Sequence, residues 1–275
     1  MGKAKDIFLR PITRQEADAL VKRVHYSGKV VNNSQFHIGV YYQGKIEGAM
    51  QFGPSLDKRK IQPLVSGTLW NEFIELNRMA FSDVLPRNSE SRALGIAMRM
   101  LRQHAPHIQW AISFADGAQC GDGTIYRAAG FVLTGIKENN QIWSAPDGEY
   151  PSVPYVSPTR RPARGRELDK IFAGSFTMQG SNITETGAAS MKPFIEAGYM
   201  PIPGYQLRYI YFLDPTARAR LTVPELPYSE IERRGAGMYK GQPRAGSIAA
   251  DAPAIHAGED GAAPIPALQV TNAEH

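Results

Sequence analysis

A single cysteine, Cys120, excludes an intrachain disulfide framework and points to a reducing cytoplasm. No apolar run approaches the roughly 20 residues needed to cross a bilayer, so no membrane partner is expected. The opening MGKAKDIFLRPITRQEADAL has no apolar h-region and does not read as a secretory signal. Internal repeats are absent. From about residue 243 the chain is Ala, Gly and Pro with few aromatics, which predicts a disordered tail over 243–275.

Within those limits, 275 residues allow one large domain or two small ones, with a balance of apolar and charged residues ordinary for a globular protein. The net charge of +5 is unevenly spread. Arg160, Arg161, Arg164, Arg166 and Lys170 crowd one loop-like stretch, and Arg233, Arg234, Lys240 and Arg244 another. Such clusters are the electrostatic footprint of a polyanion, although a solvated charged face has the same composition.

The hydrophobic pattern predicts a mixed α/β layout. A short strand at 6–10 leads to a helix from Thr13 to about Val24, with Thr13 and Glu16 as a capping box and Gly28 closing it. Strands at 36–42 and 45–52 pair across Gln43-Gly44, and another strand covers 72–79. A polar turn opens a helix over 92–104 with Ser89 or Ser91 as N-cap, and a buried strand follows at 108–114. A glycine-rich loop then leads to a short helix at 124–129, closed by Gly130, and to strands at 131–136 and 141–144. Beyond Pro146 the texture turns to Pro, Tyr and Arg, with a helix at 190–197 and a strand at 206–213.

Two features bear on chemistry. In the strand–turn–helix ELNRMAFSDVLPRNSESRALG, the helix start offers unpaired N–H groups and a partial positive charge to phosphate. Arg87, Asn88, Ser89, Ser91 and Arg92 are the candidate cofactor-binding residues there, although a simply capped helix looks the same. The second feature is TIYRAAGF, which places the Tyr126 phenol on a short helix facing back toward the sheet, where it could donate a proton or orient a substrate. Their order and spacing resemble the GNAT superfamily of acyl-CoA-dependent transferases. That likeness implies a mixed central sheet flanked by helices, two splayed parallel strands, and an acetyl-CoA or related donor at the helix start. Serines replace the expected glycines in the phosphate turn.

The motifs HYSGKVV, ELNRMAF, PRNSESRA, SFADG and GDGTIYRAAGFVLTG, in that order, are similar to the Mom family of phage DNA-modification proteins. The similarity covers about residues 5–145 and extends through RRPARGR and RYIYFLD. It implies a phage-encoded transferase in the host cytoplasm that converts adenine in double-stranded DNA to a carbamoylmethyl derivative at its exocyclic amine, protecting the DNA from restriction. It points to His25, Tyr26, Asp116 and Tyr126 as site residues, and to ferrous iron held by His25, Tyr26 and Asp116. An imidazole and a carboxylate suit iron, and His37 is a further candidate ligand, whereas His104 and His107 are expected to cap a helix end.

Glu75, on a strand flanking the crevice, is a candidate general base, or else a salt-bridge partner of Arg78 or Arg92. Cys120 reads as a surface-loop cysteine, since no nearby histidine supports a nucleophile. A base must leave the stack to react, and Tyr150, Tyr155, Phe172 and Phe176 could stack on it while the 160–170 cluster holds phosphates. The expected organisation is a catalytic core over 1–145, an extension over 146–242 that completes the fold and contacts DNA, and the tail. Two other readings predict different behaviour: a conventional N-acetyltransferase for a protein or small-molecule amine, and a non-catalytic DNA-binding protein. A homodimer through the sheet edge or the C-terminal strand is compatible with the sequence.

Overall fold

The computed structural model describes residues 3–25, 28, 30–117, 121–139, 143–144, 198, 200–201, 204–239 and 242–243. The predictions made for Tyr26, Cys120, the 160–170 basic cluster, Tyr150, Tyr155, Phe172, Phe176, the helix at 190–197 and the tail beyond 243 lie outside the described residues.

Thr13 starts the first helix as predicted. Its hydroxyl accepts from the Glu16 N–H, and the Glu16 carboxylate accepts from the Thr13 N–H at 2.8 Å, so α1 (Arg14–Val24) begins on a complete capping box. Removing the hydroxyl in Thr13→Ala is expected to cost about 1 kcal/mol, read as a lower midpoint in urea unfolding. The helix is capped three residues before the predicted glycine. His25 is the C-cap in an extended conformation, its N–H bonded to the Val21 carbonyl at 3.1 Å, and Gly28 takes its positive φ of 57° further on.

β1 (Phe8–Pro11) starts later than expected because Lys3–Asp6 forms a 3-10 turn. β2 (Phe36–Tyr42) and β3 (Lys45–Gly53) make the predicted hairpin. Gln43 and Gly44 take φ of 50° and 78°, the pair of left-handed conformations that a two-residue turn requires. β4 (Phe73–Phe81) pairs antiparallel with β3, and β5 (Trp110–Asp116) runs parallel to β4. The strand predicted from 108 begins at Trp110, because Ile108 still closes a turn onto the Ala105 carbonyl. β6 (Val132–Glu138) follows, a two-residue β7 (Trp143–Ser144) pairs with β8 (Met200–Pro201), and β9 (Tyr205–Phe212) is the last long strand.

These strands form one seven-stranded sheet in the order β1-β2-β3-β4-β5-β9-β6. β9 inserts between β5 and β6, antiparallel to both. The mixed sheet with one parallel central pair is the GNAT-like layout that the sequence resemblance implied. α3 (Ser89–His104) buries Ala93, Leu94, Ala97, Met98 and Leu101 against Ile38, Met50, Phe52 and Leu76 on one face of the sheet. The other face meets α1 through Ala17, Leu20 and Ala49. Phe73, Trp110, Ile112 and Ile210 form a second apolar patch with Ile61 of the short α2 (Lys58–Ile61). Among the described residues no helix is long and apolar enough to cross a membrane.

Candidate active site

The central pair of strands is joined only at its start. Phe73, Ile74 and Glu75 pair with Trp110, Ala111 and Ile112, after which β4 stays with β3 and β5 with β9. Where the pairing stops, β4 carries an extra residue. Phe52 faces Leu76 and Gln51 faces Arg78, leaving Asn77 unpaired in the register. Such a bulge re-aims the side chains beyond it. Leu76 joins the core under α3, while Arg78 shares the face of Gln51 with α1.

The parted strands enclose a cleft of about 400 Å³. His25, at the end of α1, and Arg78 line it with Asp116, the last residue of β5. Tyr126 lines it from α4 (Thr124–Ala128), Glu90 from the first turn of α3, and Ser113 from β5. The cleft therefore brings together His25, Asp116 and Tyr126, while Tyr26 lies outside the described residues.

Burial pushes the His25 imidazole down to about 3, and the nearby Arg78 guanidinium acts in the same direction. His25 is thus neutral at physiological pH and acts as a hydrogen-bonding group, not as a cation. The folded value lies below the ordinary 6.5, so the unfolded chain takes up the proton first. This contribution to stability is full above about pH 6.5 and is lost as the pH falls toward about 3. Urea unfolding at neutral pH and at about pH 5 is expected to show that loss, with a shallower slope in His25→Gln.

Tyr126 is held on three sides. Its ring stacks on Tyr209 at 5.2 Å and meets Phe131 edge-on at 5.5 Å, and its hydroxyl accepts from Ser113 Oγ at 2.9 Å. Tyr209 donates to the Asp122 carbonyl, and Asp122 Oδ1 accepts from the Thr124 hydroxyl at 2.6 Å, fixing the start of α4. The α4 N-cap, Gly123, sits at φ 73° directly against the Tyr209 ring.

Glu75 is placed differently from the sequence expectation. It is not among the residues that line the cleft. Its carboxylate is buried, which pushes its pKa up, and it bonds with the side chains of Ser55 and Asn77. Asn77, only 7% exposed, lines the cleft, and its Oδ1 accepts from Ser34 Oγ at 3.0 Å. Glu75 reaches the site through Asn77. His37 packs beside Gln51 under α1, its Nδ1 at 3.4 Å from the Gln51 amide nitrogen, and does not line the cleft.

The start of α3 also differs. Asn88, with φ 70°, is the N-cap in place of Ser89 or Ser91, and its carbonyl accepts the Arg92 N–H at 3.2 Å. Asparagine tolerates that conformation, so the helix begins three residues earlier than predicted. Ser89 is fully buried with no partner for its hydroxyl, and the Ser91 hydroxyl donates to the Asn88 carbonyl at 3.3 Å. Arg87 and Arg92 are exposed beside the cap. The Glu90 carboxylate occupies the first turn on the cleft side, where it opposes a bound phosphate.

Arg78, Asn77, Glu90 and Ser113 were not foreseen as cleft residues. The polar run of Glu75, Asn77 and Arg78 inside a central strand was the available signal, because such groups need a polar surrounding. Among the described residues no group of three His, Cys, Asp or Glu side chains could hold a metal ion. His25 and Asp116 share the cleft, but these two donors do not by themselves make the three-ligand iron site that was expected.

The sequence profile of the Mom protein family matches residues 6–230. The chain belongs to the Mom protein family. Methylcarbamoylase Mom of Escherichia phage Mu is 36% identical over 137 residues, half of this Mom-family chain and 56% of that protein. The chain thus aligns with little more than half the length of that curated relative. Solved structures similar to it include a Bacillus subtilis acetyltransferase in complex with CoA, with a TM-score of 0.37 and 9% identity over 75% of this chain and 97% of the other. The ribosomal-protein-S18-alanine N-acetyltransferase of Escherichia coli gives a TM-score of 0.36 at 14% identity, over 52% and 86% of the two chains. Likeness at that level adds nothing to the topology described above.

Proposed function

We propose that this chain is a phage DNA-modification transferase that attaches a carbamoylmethyl group to the exocyclic amine of adenine in DNA, shielding the DNA from restriction. The observation that carries the reading is the cleft between β4 and β5, where His25, Arg78, Asp116 and Tyr126 converge in a member of the Mom family. Adenine's exocyclic amine is a poor nucleophile because its lone pair is delocalised into the ring. Forming an N–C bond to the methylene of the new group replaces one N–H and breaks the donor's bond at that carbon. A proton therefore leaves the amine, and the rest of the donor departs with the bonding electron pair. The Asp116 carboxylate is the acceptor in this account. Neutral His25 accepts or donates a hydrogen bond to the extruded base, and the Tyr126 phenol, fixed by Ser113, orients it. The base reaches them by leaving the duplex stack, at a cost of a few kcal/mol.

The donor in the reading that the sheet layout suggests is related to acyl-CoA but carries its leaving group on the methylene carbon, since attack at a thioester carbonyl would attach the base through that carbon. Arg87 and Arg92 are the exposed cations at the helix start, and Ser89, Ser91 and Asn88 shape the turn. Ferrous iron, where bound, would take His25 and Asp116 as donors and supply one-electron chemistry, with Tyr26 as the third expected ligand. No step above depends on it. The basic residues at 160–170 are proposed to hold phosphates of the substrate DNA.

Genomic DNA from bacteria expressing the full chain tests this directly. It is expected to resist restriction endonucleases whose sites contain adenine, and complete digestion despite abundant folded protein would refute the proposal. A chain that acetylates small amines without DNA would instead be a conventional N-acetyltransferase.

A further inference from the structure

A second cavity, of about 500 Å³, lies at the opposite end of β4 and shares no lining residue with the cleft. Its floor is apolar, built from Phe36, Phe73, Ile74, Leu101 and Ile108. Its rim carries the Lys58 ammonium and the rings of Trp70, His104 and His107. Trp70 is 59% exposed, its sequence neighbour Leu69 is 62% exposed, and Leu56, two residues before Lys58, is 69% exposed. Structural tryptophans are rarely left so open, and the only other tryptophan whose side chain is described, Trp110, is fully buried.

The exposed ring is held in place. The Lys58 ammonium lies 3.8 Å from the Trp70 ring centroid and 5.4 Å from that of Phe73, and it donates to the Trp70 carbonyl at 2.7 Å. One of its three N–H bonds is used there, which leaves two for a ligand. Arg59 is exposed next to it, while Lys60 is paired with Asp57 at 2.9 Å. A fixed, exposed aromatic ring beside cations that keep open donors, over an apolar recess of ligand-binding size, is the combination by which proteins hold unpaired nucleotides.

We propose that this cavity is a second nucleic-acid site, taking an unpaired base of a DNA strand against Trp70 and the adjoining phosphate on Lys58 and Arg59. The choice of DNA as the ligand rests on the modification activity proposed above. A base-extruding enzyme leaves strand distorted on either side of its target, and a site at the far end of the same strand β4 captures such a nucleotide.

Binding of the full chain to a short fluorescein-labelled oligothymidylate, by fluorescence anisotropy, tests the site. Trp70→Ala is expected to weaken binding roughly tenfold or more, and Trp70→Phe to keep most of it. Lys58→Ala is expected to lower the slope of log affinity against log salt by about one. Because Trp70 is exposed, its variants should melt like the unaltered protein. Unchanged affinity in Trp70→Ala would overturn the proposal, as would an equal loss on a fully paired duplex. Nucleosides from cells expressing the same variants separate the two ideas. Trp70-dependent strand binding without any altered adenosine keeps this site and removes the proposed activity, whereas altered adenosine with Trp70-independent binding does the reverse.

Discussion

Replacing Asp116 with alanine is expected to abolish the altered adenosine while leaving a folded protein. Asp116 ends β5, and its backbone is held by the register with Gln206 of β9. Its carboxylate lines the cleft from one wall while His25 and Arg78 line the other. Loss of a positioned proton acceptor typically costs about 100- to 10,000-fold in rate. A structural role would instead lower the melting temperature together with the product, so both are measured on one preparation. Tyr126→Phe is the finer companion. It keeps the ring contacts with Tyr209 and Phe131 and removes only the hydroxyl that Ser113 holds. Undiminished product in either variant would take that residue out of the mechanism.

Gly123→Ala is expected to give the largest loss of stability of any single methyl group added at the site. A Cβ there would lie 2.4 Å from Tyr209 Cε2 and 2.8 Å from its hydroxyl, and Tyr209 is fully buried in the middle of β9. The ring cannot retreat without losing its bond to the Asp122 carbonyl and its stacking on Tyr126. The φ of 73° adds strain of about 1–2 kcal/mol, and overpacking about 1–3 kcal/mol. Together they correspond to a fall of roughly 10 °C in melting temperature for a domain of this size. Because α4 carries Tyr126, turnover should fall as well. Gly44→Ala is the control. Its φ is 78°, but nothing lies within 4 Å of the added carbon, so only the backbone strain remains. Equal melting of the two variants would show that the Tyr209 contact yields.

The local elements were legible because their signals are local. Thr13 and Glu16 fix the start of α1, and Gln43-Gly44 fixes the hairpin, whatever the rest of the chain does. The apolar run near residue 110 announced a buried strand. What the sequence could not convey was placement. The strand ending at Phe212 was readable, but nothing local says that it slips between β5 and β6, since that pairing joins residues far apart in the chain. The bulge at Asn77 escaped for a similar reason. A strict two-residue alternation puts Leu76 and Arg78 on one face, and the extra residue separates them, which turns Arg78 toward His25. Glu75 lies on the strand that flanks the cleft, but its carboxylate bonds with Ser55 and Asn77. Asp116, Tyr126 and His25 stand in distinctive motifs, and the fold gathers them in one cleft from β5, α4 and the end of α1.

The most direct test is mass spectrometry of nucleosides from DNA of cells expressing the full chain. The account predicts an adenosine heavier by a carbamoylmethyl group, present with the unaltered protein and missing with Asp116→Ala. Only unmodified adenosine, from cells that contain soluble and cooperatively folding protein, would contradict it.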